Sequence, residues 1–160
     1  ANVVICAPTA SGKTEAALAP LIERHLPPAA QPALTVLYVT PTRALVNDLY
    51  QRLRDPLADM RLRVAIRTGD RDTFDARKAD PHILITTPES FDSLLTSRPQ
   101  RFTHIRAVVI DELHVLDGTA RGDQLRVLLR RLAWIRAHAH QIGDAPDSSQ
   151  IGRASYRERV

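Results

Sequence analysis

The chain is expected to fold as an α/β domain, a parallel sheet with helices on both faces. Two observations predict this: short β-branched apolar runs alternate with longer stretches of helical spacing, and each run ends at a polar or turn cluster. Such alternation builds strand–helix–strand units, whose parallel strands are covered on both faces. The 160 residues are enough for one core of this kind.

The first apolar run, Val3 to Cys6, leads into a helical stretch from Thr14 to His25. Pro27, Pro28 and Pro32 cannot continue a helix and mark the loop to the second run, Leu34 to Val39. A helix is then expected over Thr42 to Arg54, strands over Val64 to Ile66 and Ile83 to Ile85, and a helix over Pro88 to Leu95. The last strand is Ala107 to Ile110, and a long amphipathic helix runs from Arg121 to about His138. There Leu125, Leu128, Leu129 and Leu132 form a core-facing stripe, with Arg126, Arg130, Arg131 and Arg136 mostly outside it as a solvated face. Asp144 to Gln150 is polar and aperiodic, and no internal repeat is found.

Composition excludes little. Hydrophobic content of 44% and charged content of 25% are ordinary for a soluble domain, and no apolar run approaches bilayer length, so a cytoplasmic protein is expected. The chain starts at Ala1 with no targeting segment, and further sequence is expected upstream. Cys6, the single cysteine, lies in an apolar run and reads as a small buried hydrophobe. The formal charge of +4 would not by itself point to nucleic acid. Residues Ile151 to Val160 contribute three arginines and one glutamate to it and resemble the translation of a sequencing-adapter read-through. They are expected to be non-native, leaving residues 1–150 as the domain.

Ala7-Pro8-Thr9-Ala10-Ser11-Gly12-Lys13-Thr14 follows an apolar run and opens a helix, the context of a phosphate-binding loop. Backbone N–H groups at a helix start face anions, Lys13 can neutralise outer phosphate oxygens, and the Thr14 hydroxyl can ligate Mg²⁺. Gly12 leaves room for a close approach. Of 22 basic residues only Lys13 and Lys78 are lysines, so a compact ammonium stands where a guanidinium would crowd the phosphates. Ala107 to Ile110 runs into Asp111-Glu112-Leu113-His114, placing two carboxylates at the strand edge where open α/β sheets bind ligands. Asp111 is the expected Mg²⁺ ligand, through water, and Glu112 the general base.

Two more strand-to-helix junctions are Pro41-Thr42-Arg43-Ala44-Leu45 and Thr86-Thr87-Pro88-Glu89-Ser90. Helix-start amides, threonine hydroxyls and Arg43 suit a sugar-phosphate backbone and carry no base-reading chemistry. Taken alone, each junction could equally be an ordinary helix cap.

Together these elements resemble superfamily-two helicases of the DEAD/DEAH type over roughly Val3 to Leu132. The first junction looks like motif Ia, the second like motif Ib, and Thr68-Gly69-Asp70 like the glycine motif between them. That glycine motif, Thr86 to Ser90 and Asp117 to Leu125 look most like large-helicase-related (Lhr) proteins. The resemblance implies a first RecA-like domain that binds Mg²⁺-ATP. Lys13, Asp111 and Glu112 would be catalytic, and Ala7 would stand where this class commonly has alanine. His114 would sense the nucleotide and couple it to motion. Pro41, Thr42, Arg43, Gly69, Thr87, Pro88 and Glu89 would hold single-stranded DNA or RNA by its backbone. It also implies a second RecA-like domain carrying an arginine finger, and a Ser-Ala-Thr motif shortly after Gln150. The rivals are a P-loop ATPase or kinase acting on a small molecule, and a nucleotide-dependent scaffold without turnover.

Overall fold

The computed structural model describes residues 3–8, 11–26, 33–74 and 79–141. The elements in chain order are α1 (Lys13–His25), β1 (Val36–Val39), α2 (Arg43–Asp59), β2 (Val64–Arg67), β3 (Ile83–Thr86), α3 (Pro88–Ser97), a 3-10 turn (Pro99–Phe102), β4 (Ala107–Ile110), α4 (Leu113–Leu116) and α5 (Ala120–Gln141). The strands form one sheet in the order β2-β3-β1-β4, every pair parallel. The proline-rich loop, the polar run after Gln141, Thr9, Ala10, Lys78 and the C-terminal tail lie outside the described residues.

Strand parity divides the core. Val36 and Tyr38 of β1 pack with Leu18 and Ile22 of α1 and Val46 and Leu49 of α2 on one face. Leu37 and Val39 pack with Phe91 and Leu94 of α3 and Leu125, Leu128 and Leu132 of α5 on the other. Adjacent strand residues point oppositely, so a continuous apolar run is what a doubly covered strand requires. Removing each such side chain from water contributes roughly 1.5–3 kcal/mol.

Three expectations are corrected. Val3 to Cys6 has the composition of a strand but joins no described strand. Val3 and Val4 are each 79% exposed, and Cys6 is exposed and not buried. A strand is defined by its neighbour, and apolar residues cannot form one alone. β4 is half-buried along its length because it is an edge of the described sheet. Arg136, expected on the solvated face of α5, is buried, and its Nε has no partner among the described residues. Burial, helped by the nearby charge of Arg106, pushes its pKa down.

Helix ends also moved. α2 continues past Arg54 through Pro56 to Asp59, with Leu57 buried beyond the proline, and α4 is a turn that periodicity did not show. Gly122 is set against that turn: a Cβ there would lie 2.1 Å from the Leu116 carbonyl oxygen, so only glycine admits this junction. No helix among the described residues is long and apolar enough to cross a membrane.

Candidate active site and nucleic-acid interface

Every strand of a parallel sheet ends at the same edge, so each loop leaving a strand end opens there. Gly12 caps α1 at φ 79° and ψ 21°, a left-handed conformation suited to glycine. It gives the helix no side-chain cap. The first amides of α1 therefore have no internal side-chain acceptor, and they project the positive end of the helix dipole. Ser11 Oγ donates to the Pro8 carbonyl at 2.7 Å, and Lys13 Nζ donates to the Ala7 carbonyl at 3.0 Å, folding the ammonium over the loop. Arg52 of α2 meets Glu15 at 3.2 Å, tying the first turn of α1 to its neighbour.

Asp111 extends the ladder beyond β4, its N–H donating to the Val39 carbonyl at 2.9 Å. Its Oδ1 accepts the Glu112 N–H at 2.9 Å and its Oδ2 accepts the Tyr38 hydroxyl at 3.2 Å, so the carboxylate is aimed from both sides. Glu112 has φ 48°, a positive value that costs a non-glycine residue about 1–3 kcal/mol. Glu112 Oε2 lies 3.3 Å from Nδ1 of the exposed His114.

Tyr38 was not expected at this site. It is buried in β1, and burial together with the Asp111 charge pushes its phenol pKa up. The Thr14 side chain lies close enough to this hydroxyl to oppose part of that rise. Thr14 and Asp111 are thus both neighbours of one hydroxyl. Within an apolar run a tyrosine reads as a core aromatic. Its polar tip gains meaning only when the strand end beside it is known.

Beside this lies a groove of about 430 Å³. Of the residues expected to hold a nucleic-acid backbone, Pro41, Arg43, Gly69, Thr87 and Glu89 line it, together with Arg67 and Arg121, which were not among them. Thr42 and Pro88 do not line it. The Thr42 side chain caps α2 by accepting the Leu45 N–H at 3.3 Å, and Pro88 is buried at the start of α3. Arg43 meets Asp70 at 2.5 Å. Arg121, the second residue of α5, meets Glu89 at 2.6 Å and donates to the Pro41 carbonyl at 2.6 Å, joining both junctions.

The expectation of free amides holds only in part at α3. Pro88 has no N–H, the Ser90 N–H reaches the Thr87 hydroxyl at 3.4 Å, and the Phe91 N–H makes the first helical bond, to the Thr87 carbonyl at 2.9 Å. Partial burial of Glu89 pushes its pKa up, but bonds from Arg121, its own N–H and Thr87 outweigh this and hold it below the usual carboxylate value.

The comparisons with known proteins agree with one another. The model of the DEAD/DEAH box helicase family matches residues 1–151. The chain is 36% identical to "ATP-dependent helicase Lhr-Core protein 2" of Thermococcus barophilus over 163 aligned residues, covering 89% of this chain and 19% of that protein. It resembles the crystal structure of the DUF1998 helicase MrfA with TM-score 0.69 and 29% identity, covering 84% of this chain and 22% of that one. The structure of MrfA bound to DNA and AMPPNP matches with TM-score 0.64 and 28% identity over 80% of this chain and 19% of that one. The chain thus spans about a fifth of the length of the relatives it matches.

Proposed function

Because the chain belongs to the DEAD/DEAH box helicase family, we propose that it is the ATP-binding, first RecA-like domain of an ATP-dependent helicase most similar to the Lhr proteins. In this reading residues 1–150 are that domain and Ile151 to Val160 a non-native tail. The observation that carries the proposal is the Tyr38 hydroxyl, which donates to Asp111 at 3.2 Å and has Thr14 as a neighbour. It supports one shared site for the phosphate loop and the acidic pair.

Two protein oxygens are too few to hold magnesium alone. Magnesium arriving with a nucleotide would be held by the Thr14 hydroxyl directly and by Asp111 through water. Bound so, it would neutralise charge on the transferring phosphoryl group. The uncapped start of α1, with Ala7, Pro8, Thr9, Ala10, Ser11 and Gly12, cradles the phosphates, and Lys13 swings from the Ala7 carbonyl to the outer oxygens. Glu112 takes the proton of the attacking water, and His114, within hydrogen-bonding reach of Glu112, reports the state of the site to the following helices.

The groove holds the backbone of single-stranded DNA or RNA without reading bases. Arg43, Arg67 and Arg121 supply the positive charge, and Pro41, Gly69 and Thr87 the walls. Thr42, Pro88 and Glu89 shape the two helix starts around it. The MrfA complex with DNA and AMPPNP supports both halves of this reading. A second RecA-like domain with its arginine finger completes the cleft, so the 160 residues alone should turn ATP over about a thousandfold more slowly.

The test is Glu112→Gln in the complete protein. Nucleic-acid-stimulated ATP hydrolysis should fall by about 10²-fold or more while ATP binding persists. Unchanged turnover would make the chain a scaffold, and turnover indifferent to nucleic acid would make it an ATPase of another class.

A further inference from the structure

The groove's three arginines are each paired with a carboxylate of the same chain, but the pairs differ. Arg67 and Asp72 form a pair whose side chains are only 30 and 32% exposed, and Asp72 also accepts the Phe74 N–H at 2.8 Å. Arg121 has a second acceptor besides Glu89, the Pro41 carbonyl. Arg43 has one acceptor among the described residues, Asp70, and both side chains are mostly exposed, 59 and 70%. Its guanidinium lies along the Thr68–Arg71 turn, where a Cβ on Gly69 would come within 2.8 Å of Nη2. That turn closes through the Thr68 N–H to the Arg71 carbonyl at 2.8 Å and the Arg71 N–H to Thr68 Oγ1 at 3.1 Å, so Asp70 sits on a fixed support.

We propose that Asp70 is an internal competitor for the nucleic-acid phosphate: it occupies the Arg43 guanidinium, and a backbone entering the groove must displace it. The inference rests on the groove being the nucleic-acid face. A carboxylate and a phosphate offer a guanidinium the same geometry of paired oxygens, so the Arg43 edge that meets Asp70 is the edge a phosphate would use. Arg67 and Arg121 keep their partners and stay where the fold puts them, while Arg43 is the cation the ligand wins. Asp70 thereby sets the affinity, and part of the basic charge in the groove becomes available only on binding.

The experiment is fluorescence anisotropy of a short fluorescein-labelled oligothymidylate titrated with the full 160-residue chain. Exposed arginine–carboxylate pairs are weak, so Asp70→Asn should bind about two- to fivefold more tightly at about 50 mM salt. Its dependence on salt should steepen by about one unit of log K against log salt, so that the gain shrinks toward about 200 mM. Asp70→Ser should repeat the gain if the amide disturbs the turn. Two controls separate this from net charge. Asp59→Asn, at the far end of α2, should leave binding within experimental error, and the Asp70→Asn gain should vanish in an Arg43→Ala background. Equal or weaker binding by both Asp70 variants, or a gain that survives Arg43→Ala, overturns the proposal while leaving the groove reading intact. If wild type and variants are folded by circular dichroism and none binds the oligothymidylate, the groove reading falls and the proposal with it.

Discussion

The helix behind the phosphate loop and the helices beside the groove begin in opposite ways. α1 starts at a left-handed glycine without a side-chain cap, whereas α2 and α3 start at Thr42 and Thr87, whose hydroxyls accept the Leu45 and Ser90 N–H groups. An uncapped start leaves amides for an anion that sits on the axis and feels the whole dipole. A capped start stabilises the fold and leaves recognition to side chains, here arginines. The proposed nucleotide end thus offers backbone and one lysine, and the groove offers guanidinium groups held by carboxylates. The first suits a compact, highly charged ligand in a fixed place. The second suits a long backbone that must move.

Five variants would break or sharpen that contrast, taken from the largest effect down. Lys13→Ala should weaken Mg²⁺-ATP by about 10²-fold or more, read with a fluorescent ATP analogue, because removing a preorganised donor at the phosphates is costly. Oligonucleotide binding should change little, and an equal loss of both ligands would erase the distinction between the ends. Gly122→Ala should destabilise the chain by about 1–3 kcal/mol in denaturant unfolding, since its Cβ would strike the Leu116 carbonyl, a backbone atom. This junction joins the acidic pair to Arg121, and an unshifted midpoint would show that it yields. Thr87→Ala should cost about 1 kcal/mol of stability and spare nucleotide binding. Thr14→Ala should do the reverse, because Thr14 caps no helix and is the proposed magnesium ligand. The smallest effect concerns pH. Glu89 titrates below its usual value when folded, so its contribution to stability is present above the unfolded value and is lost as pH falls through the depressed one. Glu89 is half exposed, so the change should be under about 1 kcal/mol, and an acid-unfolding profile for Glu89→Gln matching wild type would mean the Arg121 contact contributes nothing.

Much of this was legible before any coordinates. The four strands of the sheet, the first helix to within one residue of its expected start at Thr14, and the placement of Asp111 at a strand end follow from local pattern, because a buried strand and a phosphate loop each have a composition that chance seldom supplies. Tyr38 and Arg121 were hidden for one reason: a tyrosine in an apolar run and an arginine in a helix look ordinary until their neighbours across the sheet are known. The free amides expected at Thr87 are fewer than the junction suggests, because Pro88 has no N–H and the Thr87 hydroxyl accepts the Ser90 N–H.

Sequence alone determined the four strands of the sheet and the four longer helices, and singled out the loops proposed for phosphate and carboxylate chemistry, since those depend on spacing along the chain. Tertiary structure decided which loops share an edge, that Val3 to Cys6 pairs with no described strand, and which arginine each carboxylate holds. Those outcomes depend on contacts between residues distant in sequence, such as Tyr38 with Asp111 and Arg121 with the Pro41 carbonyl, and no local pattern encodes them.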